Sequence, residues 1–231
     1  MKSKLIILGS GSSAGVPRID GFWGNCKRSK KNIRTRCSAV ILNGSESILI
    51  DTSPDIRNQL LSNKVKNITS VLYTHEHSDQ TNGLFELRPF YWKNKKKINI
   101  YGNLRTINFL KKRFDFCFIK KKFYDPIVKA NIVKKEFLIG KGKSKILFKT
   151  TEVKHGLIKS VAYFFKKTAY ISDCNDMNII KMNIFKNLNN LIIDCCKIKT
   201  YFSHFNLDQA LQIHNKLKPK KTILTNLHSD F

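Results

Sequence analysis

The chemistry in this chain concentrates in one short segment, Thr74-His75-Glu76-His77-Ser78-Asp79-Gln80, directly after the apolar run Val71-Leu72-Tyr73. Residues i and i+2 of an extended segment face the same side, so His75 and His77 can address one cation together. Asp79 follows on the turn, where its carboxylate is free to address a second ion. Glu76 alternates to the other face and is expected to point away. The next position holds Gln80, whose amide oxygen coordinates metals more weakly than an imidazole.

Further polar residues fall where apolar strand-type runs stop. His155-Gly156 closes the run from Ile146, and Asp173 follows Ala169-Tyr170-Ile171-Ser172. Asp194 ends Asn190–Ile193, and His228 lies just past Ile223-Leu224-Thr225. Donors at one end of several strands are a rigid way to build a site. Imidazoles and carboxylates without thiolates suit zinc, manganese or iron, and a carboxylate can bridge two cations. Asp51 ends another strand-type run and has two readings: it orients a ligand imidazole through a hydrogen bond, or it caps the following helix. His214, inside a helical pattern, is assigned to ordinary packing.

Lys4–Leu8 reads as a strand running into a glycine-rich loop, residues 9–17. Cys37–Leu42 and Ile48–Asp51 are strand-type runs joined across Asn43-Gly44, a hairpin signal. Thr52-Ser53-Pro54-Asp55 opens a helix to about Leu61. Ser70–Thr74 is the strand that delivers the histidine loop, and Leu104–Phe114 a helix. Strands are expected at Ile146–Thr150, Val161–Phe165, Ala169–Ser172, Leu191–Asp194 and Thr222–Leu224. Asn206 caps a helix over Leu207–Leu217. Strands early and helix–strand alternation late predict two sheets with outer helices, with residues 1–231 as a single domain.

The formal charge of +27 comes from 35 Lys and 8 Arg against 16 acids, beside 21 Asn and 27 Ile. Lys, Asn and Ile share A/T-rich codons, so genome composition accounts for the charge, and the lysine runs are spread along the chain as solvated surface. Nucleic acid is therefore a partner the sequence allows but does not favour, and a small anionic substrate is preferred. Six scattered cysteines without a C-x-x-C pair read as small buried hydrophobes in a reducing compartment. No apolar run approaches the ~18 residues of a membrane span, and the N-terminus lacks a signal-peptide pattern; the expected location is cytoplasmic, with no membrane partner.

The glycine-rich loop, the His-x-His-x-Asp loop, His155-Gly156, Ser172-Asp173 and Ser203-His204-Phe205-Asn206-Leu207 together resemble the metallo-β-lactamase superfamily. Within it they are most similar to the phosphoribosyl cyclic phosphodiesterases of the carbon–phosphorus lyase pathway, over essentially the whole chain. The resemblance implies a four-layer αβ/βα sandwich of the α/β class and a metal-dependent phosphodiesterase acting on a small cyclic phosphate. It implies one or two divalent ions, Zn²⁺ or Mn²⁺, and a homodimer as one possible assembly. By resemblance His75, His77 and His155 hold the first metal, Asp173 bridges, and Asp79 holds the second ion and is counted with the catalytic residues. His204 becomes the general acid.

Three departures stand out. Gln80 replaces a second-metal histidine, Asn226 stands where the last ligand histidine is usual, with His228 two residues on as its substitute, and only Cys26 remains of a cysteine-rich zinc knuckle. A tRNA 3′-end-type endonuclease and a mononuclear or non-catalytic anion-binding descendant are the alternative readings. β-Lactam hydrolysis is set aside because a bridging aspartate belongs to phosphodiesterases and thioesterases.

Overall fold

The computed structural model describes residues 3–231, which form two six-stranded sheets. Contacts divide the chain into two compact units, residues 1–9 with 38–146 and residues 10–37 with 147–231.

The first unit contains β1 (Lys4–Gly9), β2 (Ser38–Asn43), β3 (Glu46–Ile50), α1 (Ile56–Ser62) and β4 (Ser70–Leu72). It continues through α2 (Ser78–Thr81), α3 (Arg88–Asn94), β5 (Ile98–Gly102), α4 (Leu104–Arg113), α5 (Asp115–Phe118), β6 (Val128–Ile132) and β7 (Glu136–Ile139). One sheet has the order β1-β2-β3-β4-β5-β6. The expected hairpin is present: Asn43 pairs with Glu46 and leaves Gly44 and Ser45 as the turn. Gly44 has φ +61°, and a Cβ there would stand 2.2 Å from Ser144 Oγ. Glycine alone suits both demands.

β3, β4 and β5 run parallel, and parallel strands are covered on both faces. This explains why Ile48, Leu49, Ile50, Val71, Leu72 and Tyr73 are all fully buried and show no alternation. Their core also takes in Ile56 and Leu60 of α1 and Ile107 and Leu110 of α4. α1 begins later than Pro54 suggests, because Asp55 is the residue that precedes the first helical turn.

The second unit contains β8 (Ile146–His155, from Leu147 onward), β9 (Ile158–Phe165), β10 (Thr168–Ile171), β11 (Asn190–Asp194), α6 (Leu207–Leu217) and β12 (Lys221–Thr225). Its strands lie in the order β12-β11-β10-β9-β8, with β10, β11 and β12 parallel. β8 is longer than the apolar run implied because its pairing with β9 continues unbroken to His155 through the exposed residues Lys149, Glu152 and Lys154. His155 pairs with Ile158 across Gly156-Leu157, and Gly156 has φ +55° with Ser203 Cβ 3.0 Å from a Cβ added there.

α6 spans the residues its periodicity marks, and Asn206 caps it. The Asn206 side chain accepts from Gln209 N, and the Gln209 side chain accepts from Asn206 N. Buried Ala210 and Ile213 turn inward. Asn206→Ala should cost about 1 kcal/mol, read as a lowered denaturation midpoint with an unchanged slope. Among the described residues no helix is long and apolar enough to cross a membrane.

Candidate metal centre

In the first unit the parallel register places the ends of β3 and β4 side by side, with Ile50 opposite Leu72. Asp51 therefore leaves its strand beside the segment that leads into the histidine loop. Its carboxylate accepts from Thr74 N at 2.8 Å and from Thr74 Oγ1 at 2.9 Å. Thr74 Oγ1 lies 3.0 Å from His75 Nδ1. Since the hydroxyl proton goes to Asp51, the hydroxyl oxygen accepts from His75 Nδ1–H, which puts the lone pair of the ring on Nε2.

That Nε2 lies 3.0 Å from His77 Nδ1, and the two rings meet edge-on with centroids 4.5 Å apart. Asp51 is thus joined to the His75 ring through Thr74. Asp51 is fully buried at φ +59°, a conformation kept for a side chain that must point one way. Asp51→Asn should weaken metal affinity about 10- to 100-fold, read by competition with a chromogenic chelator.

His77 is exposed, at the start of α2. Asp79 is half-buried and Gln80 fully buried, and the Gln80 amide donates to Asp79 Oδ2 at 3.3 Å. Glu76 turns the other way, to Arg105 Nε at 2.5 Å and Thr106 Oγ1 at 3.4 Å on α4. Glu76, His77, Ser78, Arg105 and Phe109 line a cavity of about 330 Å³.

In the second unit the donors gather at the carboxyl ends of β10, β11 and β12, which are neighbours, and of β8, which lies beyond β9. His155 ends β8, Asp173 follows β10, Asp194 ends β11 and Asn226 follows β12. One ligand atom from each of His155, Asp173 and His204 lies within 4.8 Å of the others. Asp173 Oδ1 is 3.9 Å from His155 Nε2 and 3.8 Å from His204 Nδ1. His155 Nδ1 donates to Ser203 O at 2.8 Å, which places the lone pair on Nε2, the nitrogen facing Asp173. His204 Nδ1 donates to Asp194 Oδ2 at 2.8 Å.

Asp194, unassigned among the strand-end acids by sequence, is thus the partner that fixes His204. Burial pushes its carboxyl up to about 6, while the hydrogen bond from His204 and the charge of that ring pull it back. The Cys174 amide also donates to it, at 2.9 Å.

Asn226 is the hub of this half. Its Nδ2 stands 3.2 Å from Asp173 Oδ1, 3.2 Å from Asp194 Oδ1 and 3.1 Å from His204 Nδ1. Two carboxylate neighbours fix the amide orientation, so the side chain acts here as a donor. His228 is not in the group: its Nδ1 lies 2.9 Å from Asp230 Oδ1. Sequence spacing made His228 a substitute ligand on the premise that i and i+2 share a face. The left-handed φ of +63° at Asn226 ends the extended chain there and removes that premise. His214 bonds Thr222 Oγ1 at 2.9 Å, as ordinary packing requires. All six cysteines are buried and free, and burial pushes the Cys195 thiol up to about 12.

Two sheets with outer helices, and histidine and carboxylate donors on strand ends, define an α/β fold of metallo-β-lactamase type. The chain belongs to the β-lactamase superfamily domain family, whose model matches residues 46–226, and within it to the PhnP-like branch. A crystal structure of a diphosphatase of the PhnP family is 30% identical, with a TM-score of 0.86 over 100% of this chain and 88% of that one. Zinc-bound PqqB from Methylobacterium extorquens is 15% identical, with a TM-score of 0.73 over 99% of this chain and 90% of that one. An octanoyltransferase from Porphyromonas gingivalis is 27% identical over 97% of this chain but 46% of its own length, so this chain spans about half of that relative. Family and donor set together support a metal-dependent hydrolase.

Proposed function

We propose that the protein is a metal-dependent phosphodiesterase acting on a small cyclic phosphate ester, such as a phosphoribosyl 1,2-cyclic phosphate. The observation that carries this reading is the fixed tautomer of its imidazoles. His75 through Thr74 and Asp51, and His155 through Ser203 O, each have Nδ1 hydrogen-bonded and Nε2 left as the donor atom. That arrangement is what a metal-ligating histidine requires, and a nitrogen–oxygen donor set suits Zn²⁺ or Mn²⁺.

His75, His77 and His155 are the proposed ligands of the first ion, with Asp173 shared and Asp79 on the side of the second. When bound, a divalent cation supplies acidified water and offsets charge on phosphoryl oxygens. The chain's own part is to hold the ester and to return a proton. His204, with Nδ1 donating to Asp194, presents Nε2 as the atom that gives its proton to the departing alkoxide. Support for a phosphate ester comes from the 30% identical relative, which is a diphosphatase. Turnover of bis(p-nitrophenyl) phosphate and of a ribose cyclic phosphate by the metal-stripped chain, with Zn²⁺ or Mn²⁺ restored, tests it. No metal-dependent turnover of either ester would contradict it.

A mononuclear reading has its own observation. Gln80 and Asn226 each turn an amide N–H toward a carboxylate, Asp79 and Asp173, where a ligand would present a lone pair. Such donors oppose a cation. Elemental analysis after exhaustive dialysis should find about one tightly held equivalent per chain; two would overturn the mononuclear form.

A further inference from the structure

The first unit carries a second cavity, of about 360 Å³, that the proposed hydrolase does not use. Its wall is aromatic: Phe85, Tyr91, Trp92, Phe116, Phe123 and Tyr124 all line it, together with Arg88, Lys95 and Asp125. This volume lies in the usual range for a small-ligand site. Three of the rings stand in water, Phe123 at 82%, Tyr124 at 53% and Trp92 at 51% exposure. So much exposed ring surface around one concavity is costly unless something covers it.

Two cations sit on rings of the wall. The Arg88 guanidinium lies 4.2 Å from the Phe85 centroid and 4.5 Å from that of Trp92, and Lys122 Nζ is 5.4 Å from that of Phe123. Ring faces balance the charge of a guanidinium without using its N–H donors. Arg88 Nε is correspondingly buried with no hydrogen-bond partner among the described residues. A buried, unsatisfied cationic donor in an aromatic cavity calls for an anion with acceptor oxygens. Two cations, Arg88 and Lys95, line the cavity with a single acid, Asp125, and Lys122 stands over the Phe123 ring of its wall.

We propose that this cavity takes one nucleotide of a single-stranded nucleic acid, its base among the rings of Trp92, Phe123 and Tyr124 and its phosphate against Arg88, Lys95 and Lys122. Bases stack on aromatic side chains whatever their sequence, and the cations track the backbone. A strand fits better than a free nucleotide because exposed cations continue past the cavity in both lining segments, at Lys93, Lys96, Lys97 and Lys120. The lysine runs look scattered along the sequence, yet two of them flank the walls of this one cavity. The inference does not depend on the hydrolase reading, since none of these residues belongs to the candidate metal centre.

Charge alone would attract any polyanion to this basic chain, so the deciding variants keep the charge and remove rings. Fluorescence anisotropy with a hydrolysis-resistant 2′-O-methyl octanucleotide should show Trp92→Ala and Phe123→Ala each weakening binding about tenfold. Metal-dependent ester turnover should stay unchanged in both. Lys95→Gln with Lys122→Gln should make the dependence of log affinity on log salt shallower by about 0.7 for each lysine. Wild-type affinity in both ring variants would overturn the proposal. So would adenosine monophosphate displacing the octamer at equal nucleotide concentration, the mark of a free-nucleotide site. Self-association lost in Phe123→Ala with oligonucleotide binding intact would mean that a second copy covers the rings, and would overturn it too.

Discussion

His77→Ala is expected to lower metal-dependent kcat/KM about 1,000-fold or more, because a lost ion forfeits several kcal/mol of charge stabilisation at the phosphoryl group. Three features make this the most informative ligand to remove. His77 is exposed, so truncation opens no cavity in the core. Its Nδ1 lies 3.0 Å from His75 Nε2, so the two rings already bring a nitrogen each to one point where a cation can meet both. His77 takes no part in the Asp51–Thr74–His75 hydrogen bonds, so those bonds survive the substitution. The stripped variant should denature at the same midpoint as the stripped wild type. Metal should stabilise the wild type and fail to stabilise the variant, because a ligand that binds only the folded state adds stability in proportion to its affinity.

The second large effect concerns proton delivery. His204→Ala should reduce turnover about 100- to 10,000-fold for an ester whose leaving group is an alkoxide, the span typical of general acid catalysis. The same variant should act almost normally on bis(p-nitrophenyl) phosphate, because p-nitrophenolate departs without a proton. Asp194→Asn should show the same selectivity at reduced size, because the Nδ1 partner orients His204 and does not itself meet substrate. A ring needed only to bind metal would lose both substrates together. The contrast between leaving groups, with metal content unchanged, separates the two roles.

How much of this was legible in the sequence varies with the physics behind each element. α6 could be read to the residue because two local signals agree there, an Asn206 cap and helical apolar spacing. The histidine loop was legible because period-two spacing and a preceding apolar run act over a few residues. β6 and β7 were not, since Val128–Ile132 and Glu136–Ile139 mix lysine and glutamate into short strands. α3 carries a proline and no buried residue, which hides it from a pattern search.

Within the centre, candidate ligands at strand ends could be named, but not the bonds that orient them. The Thr74 link joins Asp51 to His75 across strands that pair far apart in sequence, and Ser203 offers only a backbone oxygen. Asn226 looked like a missing ligand. Its geometry makes it a hydrogen-bond donor to both Asp173 and Asp194, which only a three-dimensional arrangement could show.

One titration tests the central claim most directly. Zn²⁺ or Mn²⁺ is added stepwise to the chelator-stripped wild type and to His77→Ala, and hydrolysis of bis(p-nitrophenyl) phosphate is followed at each step. Activity that is absent at zero metal, rises through the first equivalent in the wild type and stays near background in the variant is the predicted result. Full activity in the stripped protein, or equal metal-dependent activity in His77→Ala, would contradict it.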